Sequence, residues 1–173
     1  MSNPQRYDLL SILLHWVTVL LIVLSYLSMK TEWLDEMISS YDLHLTVGVI
    51  LLLMTSLRLI LRLSLASPQP VLTTPRMQLI AAKGVHLGLY IVLLIMPMSG
   101  WLMLNAQGDV VSFFGWNMPV LIDTHDTSAE RLESIHKILA NLGLGLISMH
   151  AVAALLHHYA FKDHTLKRML PWS

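Results

Sequence analysis

The sequence predicts an all-α integral membrane protein, a bundle of four transmembrane helices with both termini in the cytoplasm. Three observations carry that prediction. Hydrophobic residues fill 55% of the 173 positions and charged residues only 13%, with a mean hydropathy of +0.62, which is too apolar for a soluble domain of this length. Four apolar stretches, at about 9–29, 42–61, 85–104 and 135–161, each offer the roughly 20 residues needed to cross about 30 Å of hydrocarbon. Lysine and arginine are also unevenly placed. Eight of the eleven (Arg6, Arg58, Arg62, Arg76, Lys83, Lys162, Lys167 and Arg168) fall on one side of the four spans, against Lys30, Arg131 and Lys137 on the other. The side richer in lysine and arginine is the cytoplasmic one. The whole chain, 1–173, reads as a single membrane domain.

Taken in order, the first span is too long for a cleaved leader, has only Arg6 on its flank and is followed by no A-x-A site, so it stays as a helix. It carries His15 and Trp16. The second span opens on His44, with Gly48 one turn further along the same face; a glycine there leaves room for a cofactor edge or for close helix packing. The third opens on His86 and contains Pro97, which predicts a kink. The fourth carries four of the nine histidines. His136 and His150 are fourteen residues apart, so they share a face and lie roughly 21 Å apart along the axis. Ala140, Gly143 and Ile147 lie on the same stripe, the first two small residues where a flat group could rest against the backbone.

No cysteine is present, which excludes c-type haem attachment, iron–sulfur clusters and disulfides. Ionisable side chains inside a bilayer are functional hypotheses by default, and depth along the helices pairs them. His44 follows the first outer loop and is level with His136. His15, about a turn and a half in from the cytoplasmic edge, can meet His150 deeper in the inner leaflet. Each pair offers two facing imidazoles, as bis-histidine b-haem requires. His86 at the start of the third span, and His157 and His158 at the end of the fourth, lie shallower and read as a candidate quinone headgroup site. Helix-end anchoring is the plainer account of these three, and an alternative makes His86 or His157 a haem ligand in place of His15 or His150. Lys137, Arg58 and Arg62 are candidates to balance haem propionates. His125 and His164 lie in polar sequence and receive no role. The methionines Met96, Met98, Met103 and Met149 read as core packing. The five tryptophans read mostly as an interfacial belt.

The HW at His15–Trp16, HLTVG from His44, HLGLY from His86, the His136-to-His150 spacing and the ending HHYAFKDHTLKRMLP resemble the prokaryotic cytochrome b561 family over essentially the whole chain. The resemblance implies a four-helix membrane bundle with two b-haems ligated by His15, His44, His136 and His150. It also implies electron exchange across the bacterial inner membrane between ubiquinone or another quinone and a periplasmic donor or acceptor. One member type is a superoxide:ubiquinone oxidoreductase. Nine of the eleven acids lie on the outer side, which suits a basic small redox protein at least as well as anionic superoxide. Two further readings are a haem-bearing membrane anchor of a larger dehydrogenase and a metal-ion transporter. The spans hold no carboxylate beyond Asp42 at an edge, which argues against the transporter. The expected partners are membrane lipid, quinone and the periplasmic reactant, with no nucleic acid.

Overall fold

The computed structural model describes residues 6–29, 39–65 and 75–171. Trp33, Trp172, Lys30 and most of the first outer loop and of the Pro-rich connection lie outside them. The elements run α1 (Leu9–Ser28), α2 (Ser40–Ser64), α3 (Arg76–Gln107), β1 (Ser112–Phe113), β2 (Trp116–Asn117), α4 (Asp126–Tyr159) and a final 3-10 turn, Lys167–Met169. All four helices are long and apolar enough to cross a membrane, so the all-α membrane bundle is what the chain forms. α3 and α4 begin nine residues earlier than the apolar stretches on which they were placed. Hydropathy marks only the greasy part of a helix, whereas the backbone hydrogen bonding continues through its polar turns.

Local chemistry sets the ends. Asp8 caps α1, its carboxylate accepting from the Ser11 N–H at 2.9 Å and the Ser11 hydroxyl at 2.7 Å. Burial pushes the Asp8 carboxyl up, but the Ser11 hydroxyl and backbone N–H outweigh it, so its pKa lies below the ordinary value. A depressed carboxyl stabilises the fold above its unfolded pKa and loses that contribution as pH falls through the folded value. Asp8→Ala is therefore expected to cost about 1 kcal/mol near neutrality and almost nothing in acid. Denaturant titrations of helicity in detergent at the two pH values check this.

α3 ends at Gly108, whose φ of 91° allows bonds from Gly108 N to Asn105 O (3.0 Å) and from Asp109 N to Leu104 O (2.9 Å), the left-handed stop that glycine favours. What the sequence leaves as outer loop contains a small antiparallel hairpin pairing Ser112 with Asn117 and Phe113 with Trp116. Its turn residues Phe114 (φ 50°) and Gly115 (φ 80°) have the positive φ values of a tight hairpin turn. Asn105 ties this segment down, accepting from Leu121 N at 2.9 Å and donating to Asp109 O at 3.1 Å.

The helices pack most closely as α3 on α4 and α1 on α2. Gly143 is part of that packing: a Cβ there would stand 3.1 Å from Val92 Cγ1. It serves the α3–α4 contact, and does not leave room for a flat group. The fully buried apolar set is small and includes Ile12, Val47, Leu51 and Val92, while Leu20, Leu63 and Met77 are among many exposed apolar side chains, as suits a lipid-facing surface. Met98 and Met149 also face outward, where their side chains meet the hydrocarbon of the membrane core. Several buried hydroxyls bond their own helix: Thr18 to Leu14 O, Ser28 to Ser25 O and Ser99 to Met96 O. Both ends of the chain meet on one side, where Arg6 Nη2 donates to Leu170 O (2.5 Å) and Trp16 Nε1 to Met169 O (2.7 Å).

Candidate functional site

Two imidazole pairs stand inside the bundle. His44 on α2 faces His136 on α4 with ring centroids 6.2 Å apart and planes at 76°. His15 on α1 faces His150 on α4 at 6.3 Å, also at 76°. Two imidazoles sharing one metal ion, each bound through a nitrogen at about 2 Å, place their centroids about 6 Å apart, so both gaps suit a shared iron.

The first pair is oriented from outside the gap. His44 Nδ1 lies 3.1 Å from Ser25 O, with the Ser25 and Ser28 hydroxyls at 3.2 and 3.5 Å. His136 Nδ1 lies 2.9 Å from Met96 O and 3.1 Å from the Ser99 hydroxyl. A carbonyl can only accept, so each Nδ1 donates and each Nε2 keeps its lone pair, the tautomer that a metal-ligating histidine needs. Met96 O is shared by His136 and the Ser99 hydroxyl.

A cavity of about 90 Å³ opens beside this pair, lined among others by His44, Gly48, Gly100, Trp101, Val111 and His136. Two features mark it as a place for a flat, partly polar group. A Cβ on Gly48 would meet nothing within 4 Å. Trp101 Nε1 is buried with no hydrogen-bond partner among the described residues, although buried indole N–H groups normally find one.

The second pair is held differently. Arg58 Nη2 lies 3.0 Å from His15 Nδ1, and arginine can only donate, so here Nδ1 accepts. The neutral ring then carries its proton on Nε2. For His15 to hold an iron through that nitrogen, the proton would have to leave it or Arg58 would have to move off the ring. His86 joins this pair, its centroid 5.3 Å from that of His150. The sequence places His86 at a shallow helix edge; because α3 begins at Arg76, it stands ten residues inside, at the level of the inner pair. Its distance is shorter than a shared metal needs.

His157 Nδ1 meets Asp163 Oδ2 at 2.5 Å, whereas His158 Nδ1 is buried without a partner among the described residues. The fold thus places His86 with the inner pair, and gives His157 a carboxylate. Lys137 pairs with Glu133 at 2.6 Å on an exposed face. Arg62 lies over the Tyr7 ring at 5.8 Å and lines, with Arg58, Tyr90 and Asp8, a cavity of about 40 Å³ near the chain ends. The backbone carbonyls of Ser25 and Met96 and the indole of Trp101 have no sequence motif; a serine one helical turn from a paired helix's histidine is the only signal.

A family described as prokaryotic cytochrome b561 matches residues 6–172. The chain is 33% identical over 172 residues to cytochrome b561 homolog 1 of Escherichia coli (strain K12), covering 96% of this chain and 98% of the relative. It is 30% identical over 173 residues to the probable superoxide oxidase CybB of Yersinia pestis, covering 96% and 97%. It is also 30% identical to cytochrome b561 homolog 2 of Escherichia coli (strain K12), covering 98% and 93%.

Proposed function

The chain belongs to the prokaryotic cytochrome b561 family, a family of b-haem membrane cytochromes, and from that premise we propose that it carries electrons across the bacterial inner membrane through two b-haems, between a periplasmic reactant and the quinone pool. The observation that carries this reading is the pair of imidazole gaps, 6.2 and 6.3 Å wide, at two depths of one membrane bundle. A bound b-haem supplies one-electron iron chemistry. Every other task falls to side chains of the chain itself.

In this reading His44 and His136 hold the outer haem, with the Ser25 and Met96 carbonyls fixing both rings and Trp101 Nε1 available to a propionate. His15 and His150 hold the inner one, where Arg58 places a cation against the ligand set and, with Arg62, offers propionate partners. His86 lines the inner site beside His150. His158, with its unspent buried Nδ1, and His157 contact the quinone at the cytoplasmic edge. In this reading both termini lie in the cytoplasm, which the lysine and arginine asymmetry supports.

The outer reactant in this reading is a small redox protein with a basic face, because nine acids crowd that side. A second reading takes superoxide as the outer reductant. It is favoured by the 30% identity to the probable superoxide oxidase of Yersinia pestis. Lys137 is engaged with Glu133, so it contributes little cationic steering at the outer mouth.

The test is haem content per chain by pyridine haemochrome, with a reduced-minus-oxidised visible spectrum of the purified protein. Two low-spin b-haems per chain are expected; one or none in a folded preparation overturns the assignment. Rapid mixing of the oxidised holoprotein with superoxide, and separately with a reduced basic cytochrome, decides which reduces the haems.

A further inference from the structure

The end of α4 holds a carboxylate where helix electrostatics disfavour one. A helix C-terminus carries partial negative charge, and cations are the side chains normally placed there. Here Asp163 is folded back onto the last turn: its N–H donates to His157 O at 3.0 Å, and Lys162 takes the left-handed conformation (φ 54°) that makes the reversal. A non-glycine residue in that conformation is strained by about 1 kcal/mol or more, so other contacts must compensate for it. Both carboxylate oxygens are spoken for. Oδ2 meets His157 Nδ1 at 2.5 Å and Oδ1 accepts from Thr165 N at 2.8 Å. Phe161 packs edge-on against the His157 ring, 5.2 Å between centroids, and the two polar side chains are each only 22% exposed. Burial pushes the Asp163 carboxyl up, but the hydrogen bonds from Thr165 and His157 outweigh it and keep it ionised below the ordinary carboxylate range.

A carboxylate oxygen on Nδ1 fixes the ring's orientation and tautomer, leaving Nε2 as the nitrogen that exchanges protons. That nitrogen belongs to a useful place. His157 is seven residues beyond His150 on α4, two turns along the same face and about 10 Å nearer the cytoplasm. The tail that follows is fastened over the start of α1 by Arg6 and Trp16, beside the helix that carries His15.

We propose that Asp163 is a positioning residue for proton-coupled quinone reduction, holding His157 so that Nε2 passes a proton to a quinone carbonyl. The inference rests on the quinone reading above. Reduction consumes two electrons, taken singly from the inner site and supplied by a one-electron reductant at the outer face, and two protons from the cytoplasm. At the carbonyl facing His157 an O–H bond forms as the Nε2–H bond breaks, and the ring recovers its proton from water. The other carbonyl takes its proton from water directly, and the product is the quinol.

The test uses the holoprotein with prereduced haems, mixed with decylubiquinone in a stopped-flow instrument while haem oxidation is followed. Asp163→Asn is expected to slow oxidation at saturating quinone by about tenfold to a hundredfold, with the half-saturating quinone concentration and the haem spectra unchanged and the solvent deuterium isotope effect enlarged. His157→Ala should lose as much, the double variant no more, and added imidazole should restore the rate of His157→Ala. Rates of both single variants within about twofold of wild type, or a loss confined to half-saturation, overturn the role of the dyad while leaving quinone as the acceptor. Should Asp163→Asn lose its haem, the imidazole rescue of His157→Ala decides alone, and its failure overturns the proposal. Wild-type haems that quinone does not oxidise overturn the quinone reading itself, and this inference with it.

Discussion

His136→Ala, or His44→Ala, is expected to lower haem content to about half while the remaining haem keeps its bis-histidine, low-spin spectrum. The effect is large because an axial ligand has no substitute in the outer gap: the rings of His44 and His136 face each other at 6.2 Å. Each ring is fixed by a carbonyl of a neighbouring helix, Ser25 O or Met96 O, so neither can swing to serve another site. His150→Ala should remove the inner haem in the same way, leaving an outer haem that accepts electrons but cannot pass them to quinone. His125, whose backbone N–H bonds Ala106 O at the start of α4, supplies the control, since His125→Ala should keep both haems. Pyridine haemochrome and electron paramagnetic resonance of the purified variants read the outcome; a His136→Ala protein with two intact low-spin haems would refute the pairing.

Gly48 separates a cofactor cavity from ordinary close packing. Were the glycine there to let helices touch, even alanine would clash. A Cβ there has no neighbour within 4 Å, so Gly48→Ala should be neutral or stabilise haem-free protein by about 0.5–1 kcal/mol through helix propensity. Gly48→Phe is expected to fill the cavity of about 90 Å³ beside His44 and His136 and exclude the outer haem, with the inner one retained. Gly143→Phe should behave oppositely: its Cβ meets Val92 at 3.1 Å, so it should destabilise the α3–α4 contact and both haems together. Haem stoichiometry beside a denaturant titration of each variant distinguishes the two patterns.

The four-helix architecture was legible because the hydropathic spans follow from bilayer physics, which acts on composition rather than on fold detail. Depth counted along those spans pairs His44 with His136 and His15 with His150, and these are the rings that the fold brings face to face. Depth counting failed at His86. The apolar stretch marks only part of the helix, and α3 starts at Arg76, so a residue at the edge of that stretch lies beside His150. Gly143 was ambiguous for a related reason: a small residue looks the same whether it admits a cofactor or a neighbouring helix. The ring-orienting carbonyls could not be read at all, since every residue has one and only tertiary structure decides which carbonyl meets a histidine. The Asp163 contact depends on Lys162 adopting a left-handed conformation, for which lysine has no intrinsic preference.

The two histidine pairs draw one ring each from different halves of the chain. α1 and α2 form one packed hairpin and supply His15 and His44; α3 and α4 form the other and supply His136 and His150. In the proposed reading each haem is therefore a further clasp between the two halves, added to the α2–α3 packing that already joins them. Cells starved of haem should then accumulate chains whose halves are held by protein contacts alone and are more open to membrane proteases.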